Sequence, residues 1–189
     1  MDPFQLLKAD HRNVAALFEE LESARGGAAK LRVFEQIKTE LELHTHIEEK
    51  ILYPALEEPK QTHDLTLEAY EEHDVVKKLL RELSRARSAD DEWEARAKVL
   101  QENVEHHVEE EENELFKKAR AALSQEEIAE LGKELQAEKS RKQKAASSKK
   151  PAAKKGTSKN ASASKRASAS SATKRATQSR SKKSAAKKR

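Results

Sequence analysis

The stretch HTHIEEKILY at residues 44–53 recurs further along the chain as HVEEEENELF at residues 107–116. In both copies a histidine precedes a glutamate by four positions, and an aromatic residue closes the stretch. A second pair of stretches repeats in the same way, because HRNVAALFEEL at residues 11–21 returns as HDVVKKLLREL at residues 73–83. The two repeats together predict a bundle made of two copies of one helical hairpin.

Apolar residues spaced by three and four positions predict five helices. The first starts at the Asp2-Pro3 cap and ends at a glycine pair, and the next three span about residues 28–56, 62–86 and 90–123. Short connections force neighbouring helices to run antiparallel. The predicted fold class is therefore all-α, an up-down-up-down four-helix bundle over residues 1–123. A short accessory helix at residues 124–138 is expected to dock on its outside.

Charge divides the chain into two chemically different parts. Residues 1–138 hold all 34 acidic residues and 19 of the 38 basic ones, a formal charge of −15, whereas residues 139–189 hold the other 19 basic residues and no acidic one. The second part also lacks Leu, Ile, Val and aromatic residues, so we expect a disordered tail. Cysteine is absent, which excludes disulfides and sulfur-ligated metals. No apolar run of signal-peptide or membrane-spanning length opens the chain, so a cytoplasmic protein is expected.

Helical phase decides which histidines and glutamates face the predicted core. Because an α-helix repeats every 3.6 residues, a polar residue in register with apolar positions must point inward. The residues selected in this way are His11, His44, Glu48, His73, His107 and Glu111. His46 and His106 fall on outward faces, whereas the same spacing places Ile51 in the core. Counted from the turns between helices, the four selected imidazoles lie within roughly 6 Å of one level. We therefore expect these six side chains to meet inside the bundle.

Six polar side chains in an apolar core need a compensating partner. A single buried histidine is most simply a hydrogen-bonded core residue, but burial of two unpaired carboxylates costs more than a marginally stable bundle can spare. Metal ions would supply the missing positive charge. Nitrogen and carboxylate ligands without thiolate suit iron, manganese or zinc. Six ligands fit two ions bridged by the glutamates, so a di-iron centre is the leading prediction, with manganese or zinc as alternatives.

The order His…His-x-x-x-Glu…His…His-x-x-x-Glu over about residues 4–121 resembles the hemerythrin-like HHE cation-binding domain. The resemblance implies a non-haem di-iron centre held by the six selected residues, and reactivity with oxygen, nitric oxide or peroxide, or a role in handling iron. Oxygen-carrying members of the family have a further histidine four positions after the third ligand, where this chain has Lys77. They also have His-x-x-x-x-Asp in the last helix. These differences speak against reversible oxygen carriage.

The remaining candidate side chains are expected to play minor parts. His46, His63 and His106 are predicted to be solvated or to lie beside a ligand, with His63 the one expected to approach a ligand most closely. Glu49 and Glu112 each follow a predicted ligand and are expected either at the surface, which is favoured, or beside a ligand. The sequence contains no Gly-rich phosphate loop and no Ser/His/Asp arrangement. Enzymatic activity is therefore not predicted, although it stays open.

The basic tail resembles the tails of linker histones and of bacterial histone-like proteins. Positive charges without aromatic residues neutralise phosphates but cannot read bases, so we expect sequence-independent nucleic-acid binding and association with DNA in the cell. The residues assigned to this contact are Lys149, Lys150, Lys154, Lys155, Lys165, Arg166, Lys174, Arg175, Lys182, Lys183, Lys187, Lys188 and Arg189. Docking of the tail on the acidic bundle or on anionic lipids is the alternative for this segment. For the whole chain, the alternative function is a nucleoid-associated DNA-binding protein whose bundle is a structural or zinc-filled spacer.

Overall fold

The computed structural model describes residues 2–148, and over these residues the chain is all-helical. Helix α1 spans Pro3–Ser23. Helix α2 spans Gly27–Ile47, passes through a π-helical turn at Glu48–Leu52 and continues over Tyr53–Glu57. Helix α3 spans His63–Arg85. Helix α4 spans Asp91–Glu110, passes through a second π-helical turn at Glu111–Leu115 and continues over Phe116–Ala122. Helix α5 spans Gln125–Ser148.

Local sequence signals set the helix starts. Asp2 accepts hydrogen bonds from the backbone N–H groups of Phe4 and Gln5, and Pro3 occupies the first helical position. Gly26 supplies the turn into α2 with a φ of 86°, a value that L-residues with a side chain rarely adopt. At the start of α5, Ser124 and Glu127 exchange hydrogen bonds as a capping box. These caps explain why the predicted starts agree closely with the structure.

The first four helices form the predicted up-down-up-down bundle, with two apolar clusters stacked along its axis. One cluster is built around Tyr53 and Phe116, and we call it the Tyr53 core. The other is built around Phe34 and Trp93, and we call it the Trp93 core. Apolar side chains from all four helices are buried in each core, and this burial is the main source of stability for such a bundle. A layer of polar residues separates the two cores.

Helix α5 differs from the prediction at its C-terminal end. It continues ten residues past the predicted end at residue 138 and ends at Ser148. The predicted boundary of the tail at residue 139 is therefore wrong. Residues 139–148 contain no Gly or Pro and are rich in Lys, Arg, Gln and Ala, which favour helix. Lys139 also bonds Asp10 of α1, and Arg141 bonds Glu138, so the extension is held by ion pairs.

The remaining predictions for the tail, including its 13 assigned basic residues, lie outside the described residues. Within the described part of the chain, no helix is long and apolar enough to cross a membrane.

Candidate metal centre

The polar layer between the two cores contains all six residues that helical phase selected. His11 comes from α1 and His73 from α3, while His44 with Glu48 and His107 with Glu111 come from the two helices that carry π-helical turns. All six are buried, and the two glutamates are only 0% and 2% exposed. The outward side chain of His106 is 63% exposed, as predicted.

The four imidazoles meet in two pairs. The Nε2 atoms of His11 and His44 lie 3.1 Å apart, and the Nε2 atoms of His73 and His107 also lie 3.1 Å apart. Each pair takes both histidines from one hairpin, so the repeat in the sequence becomes a repeat in the site.

The two glutamates lie between the pairs. Glu48 Oε2 is 3.0 Å from Nε2 of His44 and 3.5 Å from Nε2 of His73. Glu111 Oε2 is 3.3 Å from Nε2 of His11 and 3.9 Å from Nε2 of His107. Each carboxylate therefore reaches one histidine of each pair. Both carboxylates thus lie between the two histidine pairs.

Carboxylates also hydrogen bond to the Nδ1 atoms of three histidines, which point away from the centre of the layer. The Nδ1 atoms of His11 and His73 lie 2.8 Å and 2.9 Å from the carboxylates of Glu112 and Glu49. Both glutamates directly follow a bridging glutamate in the sequence, and each serves a histidine of the other hairpin. Lys8 pairs with Glu112 at 2.9 Å, and Lys77 pairs with Glu49 at 2.6 Å. Of the two placements considered for Glu49 and Glu112, the structure therefore shows the less favoured one, because both carboxylates hydrogen bond to a histidine of the site.

The acidic residues that precede the first and third histidines face the two remaining Nδ1 atoms. Glu72 Oε2 lies 2.7 Å from Nδ1 of His107, and Asp10 Oδ2 lies 3.9 Å from Nδ1 of His44. The other oxygen of Asp10 bonds Lys139 of α5. The signal for these contacts was present in the sequence as Asp-His and Glu-His dipeptides at equivalent places in the repeat.

The outer hydrogen bonds determine which nitrogen faces the centre. A carboxylate only accepts, so in His11, His73 and His107 Nδ1 carries the proton and Nε2 presents a lone pair to the interior. In the pair formed by His73 and His107, two lone pairs 3.1 Å apart repel each other unless a cation lies between them. Among the described residues, both oxygens of Glu48 and Oε2 of Glu111 are buried without a hydrogen-bond partner. The donor set therefore fits metal ions, which would satisfy these atoms together.

Acid–base properties in the metal-free layer follow from burial and mutual charge. Burial lowers the pKa of His44 to about 4. Burial and the charge of Glu111 raise the pKa of Glu48 well above its ordinary value. Burial would also raise the pKa of Glu111, but the nearby imidazoles of His11, His107 and His44 lower it to about 2. One carboxylate thus holds a proton that a metal ion would displace.

Tyr53 is a site residue whose contacts the sequence analysis did not identify. Its buried hydroxyl donates a hydrogen bond to Glu111 Oε1 at 3.2 Å and lies 3.2 Å from Nε2 of His73. The equivalent position in the other hairpin is Phe116, whose ring stacks against His11. The phenol makes the two halves of the centre chemically unequal.

A small apolar cavity adjoins the four histidines on the side of the Trp93 core. Its volume is about 10 Å³, roughly the space that one water-sized molecule occupies. Besides the imidazoles, its walls are Val14, Leu41, Thr45, Val76, Val104 and Val108.

The other histidines lie outside this layer. His63 Nδ1 donates to the carbonyl oxygen of Glu57 at the end of α2, so the expectation that it approaches a ligand is wrong. His46 pairs with Glu138 of α5 at 2.8 Å. His106 lies beside Glu72 and Glu110 at the surface.

Comparisons with known proteins agree with this architecture. A crystal structure of a hemerythrin HHE cation binding domain-containing protein from Mycobacterium kansasii has the same fold, with a TM-score of 0.69 and 24% identity over 79% of this chain and 91% of that one. A protein named DNA nickase from a Nostoc species is 32% identical over 119 residues, and the chain spans about a third of that relative's length. The family model for the hemerythrin HHE cation binding domain matches residues 2–119, and the chain therefore belongs to the hemerythrin HHE cation-binding family.

Proposed function

We propose that this protein holds two iron ions in the polar layer and uses them to bind oxygen, nitric oxide or peroxide, or to handle iron itself. The proposed ligands are His11, His44, Glu48, His73, His107 and Glu111. The observation that carries the proposal is the pairing of Nε2 atoms at 3.1 Å, with both glutamates placed between the pairs. Each pair would hold one ion, and the glutamates would bridge the two.

Iron is favoured by the chemistry of the donors. Imidazole and carboxylate suit iron, and zinc is the main competitor because it binds such ligands at least as tightly. Each ion would have two imidazole ligands and two shared carboxylate ligands, which leaves some of the coordination positions of iron open. A bound pair of ferrous ions would supply electrons and an open coordination position for a diatomic ligand.

The protein's own residues would control access to the centre. The apolar cavity beside the four imidazoles has room for a small molecule, and its valine and leucine walls would exclude bulk water and larger anions. Tyr53 lies on the opposite side, among the carboxylates, where its hydroxyl donates to Glu111. This hydrogen bond would hold the bridging carboxylate in place.

Metal analysis tests the proposal directly. The full chain as isolated, and after anaerobic reconstitution with ferrous ions, is expected to contain about two irons per chain and to develop near-ultraviolet charge-transfer bands in air. The double variant His44→Ala, His107→Ala is expected to lose them. His63→Ala, which removes a histidine outside the layer, serves as the control. Unchanged iron content in the double variant would refute the ligand assignment.

Binding of nucleic acid by residues 149–189 is the second part of the proposal. Fifteen Lys and Arg residues without any acidic residue support it, as does the name of the Nostoc relative, a DNA nickase. A nicking activity is not proposed for this chain. The alternative is a DNA-binding protein whose bundle is only a structural spacer. Gel shifts of the full chain, together with its iron content, separate this alternative from the proposal, because such a protein would bind DNA strongly while never taking up iron.

A further inference from the structure

The two flanks of the metal layer differ, although the hairpins repeat. On the first hairpin, Leu43 and Ile47 lie at the positions that precede His44 and Glu48, and both belong to the Tyr53 core together with Leu131 and Leu135 of α5. Helix α5 therefore covers this flank with apolar side chains. The equivalent positions on the second hairpin are His106 and Glu110, which are polar and solvent-accessible.

His106 and Glu110 converge with Glu72 on the open flank. The Nε2 atom of His106 lies 3.7 Å from Oε1 of Glu72 and 3.6 Å from Oε1 of Glu110. These distances are too long for hydrogen bonds. They suit atoms around one cation, because ligands bonded to a metal ion at about 2.1 Å lie roughly 3 to 4 Å from one another. The three residues offer one nitrogen and two carboxylate oxygens within 4.8 Å of one another.

A small cavity leads inward from this cluster. Glu72 and Glu110 line its outer part, and His107 and Glu111 line its inner part. Leu65, Ala69 and Leu115 complete the walls, and the volume is about 10 Å³. Glu111 is 2% exposed, and its Oε2 atom is buried without a hydrogen-bond partner among the described residues. Glu111 thus borders both this cavity and the buried layer.

Glu72 joins the surface cluster to the buried layer. Its Oε1 atom faces His106, while its Oε2 atom accepts a hydrogen bond from Nδ1 of His107 at 2.7 Å. One carboxylate therefore serves both places. The cavity has the carboxylates of Glu72 and Glu110 at its outer end and that of Glu111 at its inner end, an arrangement that draws a cation inward.

We propose that Glu72, His106 and Glu110 form a surface site for a divalent metal ion, through which ions reach the buried centre. This proposal rests on the proposed function, because the surface site would supply ions to the buried metal centre. It takes hard or borderline ions such as ferrous iron or Mn²⁺, because its ligands are one imidazole and two carboxylates. Its exposure makes binding weak and exchange fast.

Loading kinetics test the route. The metal-free full chain is mixed anaerobically with ferrous ions. Uptake is measured as the decrease in free ferrous ions, which a coloured chelator detects. The double variant His106→Ala, Glu110→Gln is expected to load about tenfold more slowly than wild type and to reach the same final iron content. Glu72 is left intact because it also orients His107.

The matched control is Glu109→Gln, which removes the same charge from an exposed neighbour on the same turn of α4. It is expected to load at nearly the wild-type rate. Wild-type kinetics in the double variant, or equal slowing by Glu109→Gln, would overturn the proposed route.

Direct binding provides a second measurement. Titration of the iron-loaded chain with Mn²⁺, followed by electron paramagnetic resonance, is expected to reveal an additional weak site in wild type that the double variant lacks. Identical titrations for the two proteins would overturn the surface site. A wild-type chain that acquires no buried ions contradicts the proposed function instead, and Mn²⁺ titration of that metal-free protein still decides whether the surface site exists.

Discussion

Glu48 and Glu111 occupy equivalent places in the two hairpins, yet their acid–base properties are opposite. Burial and the neighbouring charge of Glu111 raise the pKa of Glu48. Glu111 is buried nearly as deeply, but the nearby imidazoles of His11, His107 and His44 lower its pKa to about 2. The metal-free protein therefore carries an unfavourable carboxylate at one specific position, where function outweighs stability.

Glu48→Gln should relieve this cost in the metal-free protein. A folded-state pKa raised above the unfolded value makes the contribution of Glu48 favourable below its ordinary pKa, and this contribution is lost as pH rises toward the raised value. Within that window the wild type loses about 1.4 kcal/mol per pH unit through this group, and the variant does not. Urea unfolding of the metal-free proteins at several pH values should show that the free energy of unfolding of the variant exceeds that of wild type by an amount that grows as pH rises. The variant should also bind less metal than wild type.

Glu111→Gln is the matched comparison for this prediction. Its folded-state pKa is lowered, so the ionised form stabilises the folded protein above the ordinary pKa, and the amide should lose that stability at neutral pH. A pH-independent difference between Glu48→Gln and wild type would contradict the assignment of the raised pKa.

At the scale of the helices, the two π-helical turns let one helix direct side chains both into the polar layer and into the Tyr53 core. Each turn begins at a bridging glutamate, whose carbonyl oxygen accepts from the backbone N–H of Tyr53 or Phe116 five residues later. The extra residue shifts the phase of every later side chain. For this reason Leu52 and Tyr53 are fully buried, whereas Ile51, which regular spacing placed in the core, is only half-buried.

Deletion of the exposed residue Asn113 tests the role of the second turn. The deletion removes the inserted residue, so a regular α-helix can keep both flanking segments in register while the carboxylate of Glu111 moves. We expect a folded protein by circular dichroism that binds about half the metal of wild type or less. Deletion of Glu102, in regular α-helix, is the control and should unfold the bundle, because it rotates all later side chains by about 100°. Full metal content after deletion of Asn113 would count against a functional role of the turn.

Helix α5 contributes to the core more than its thin apolar stripe predicted. Leu135 is fully buried in the Tyr53 core, and Lys139 and Glu138 pair with Asp10 and His46 on the two helices beneath. Three basic side chains, those of His46, Lys50 and Arg141, lower the pKa of Glu138. The helix is therefore an integral fifth element of the bundle.

Leu135→Ala should destabilise the protein by about 2–5 kcal/mol, because it leaves a cavity in a closely packed core. Urea denaturation of the metal-free chain measures the change. Glu134→Ala, at an exposed neighbour on the same helix, should change the free energy of unfolding by less than about 0.5 kcal/mol. Equal effects of the two substitutions would mean that α5 only lies on the surface.

At the scale of the whole molecule, opposite charges are segregated along the chain. An acidic body of formal charge −15 precedes 19 basic residues in the final 51 positions. Such a body repels nucleic acid, so any binding must come from the basic segment and compete with attraction between the two parts.

Binding of the full chain to duplex DNA is expected to be independent of sequence and steeply dependent on salt. Six to ten phosphate contacts would reduce the affinity by about 10³–10⁵ between 50 and 200 mM salt. Fluorescence anisotropy with two unrelated duplexes measures both properties. A chain that ends at Ser148 provides the comparison and should bind at least about a hundredfold more weakly. Comparable binding by the shorter chain would assign the contact to the helical body.

The bundle and its six inward polar residues were readable from the sequence, since the pitch of an α-helix converts spacing into direction and depth. The same regularity explains the failures. A π-helical turn breaks the pitch that the reading assumes, so Ile51 was placed in the core in error. The roles of Glu49, Glu112 and Tyr53 depend on contacts between helices, and the register of one helix against another is decided by packing of the whole bundle. The extension of α5 past residue 138 likewise depends partly on a contact between helices, the ion pair of Lys139 with Asp10.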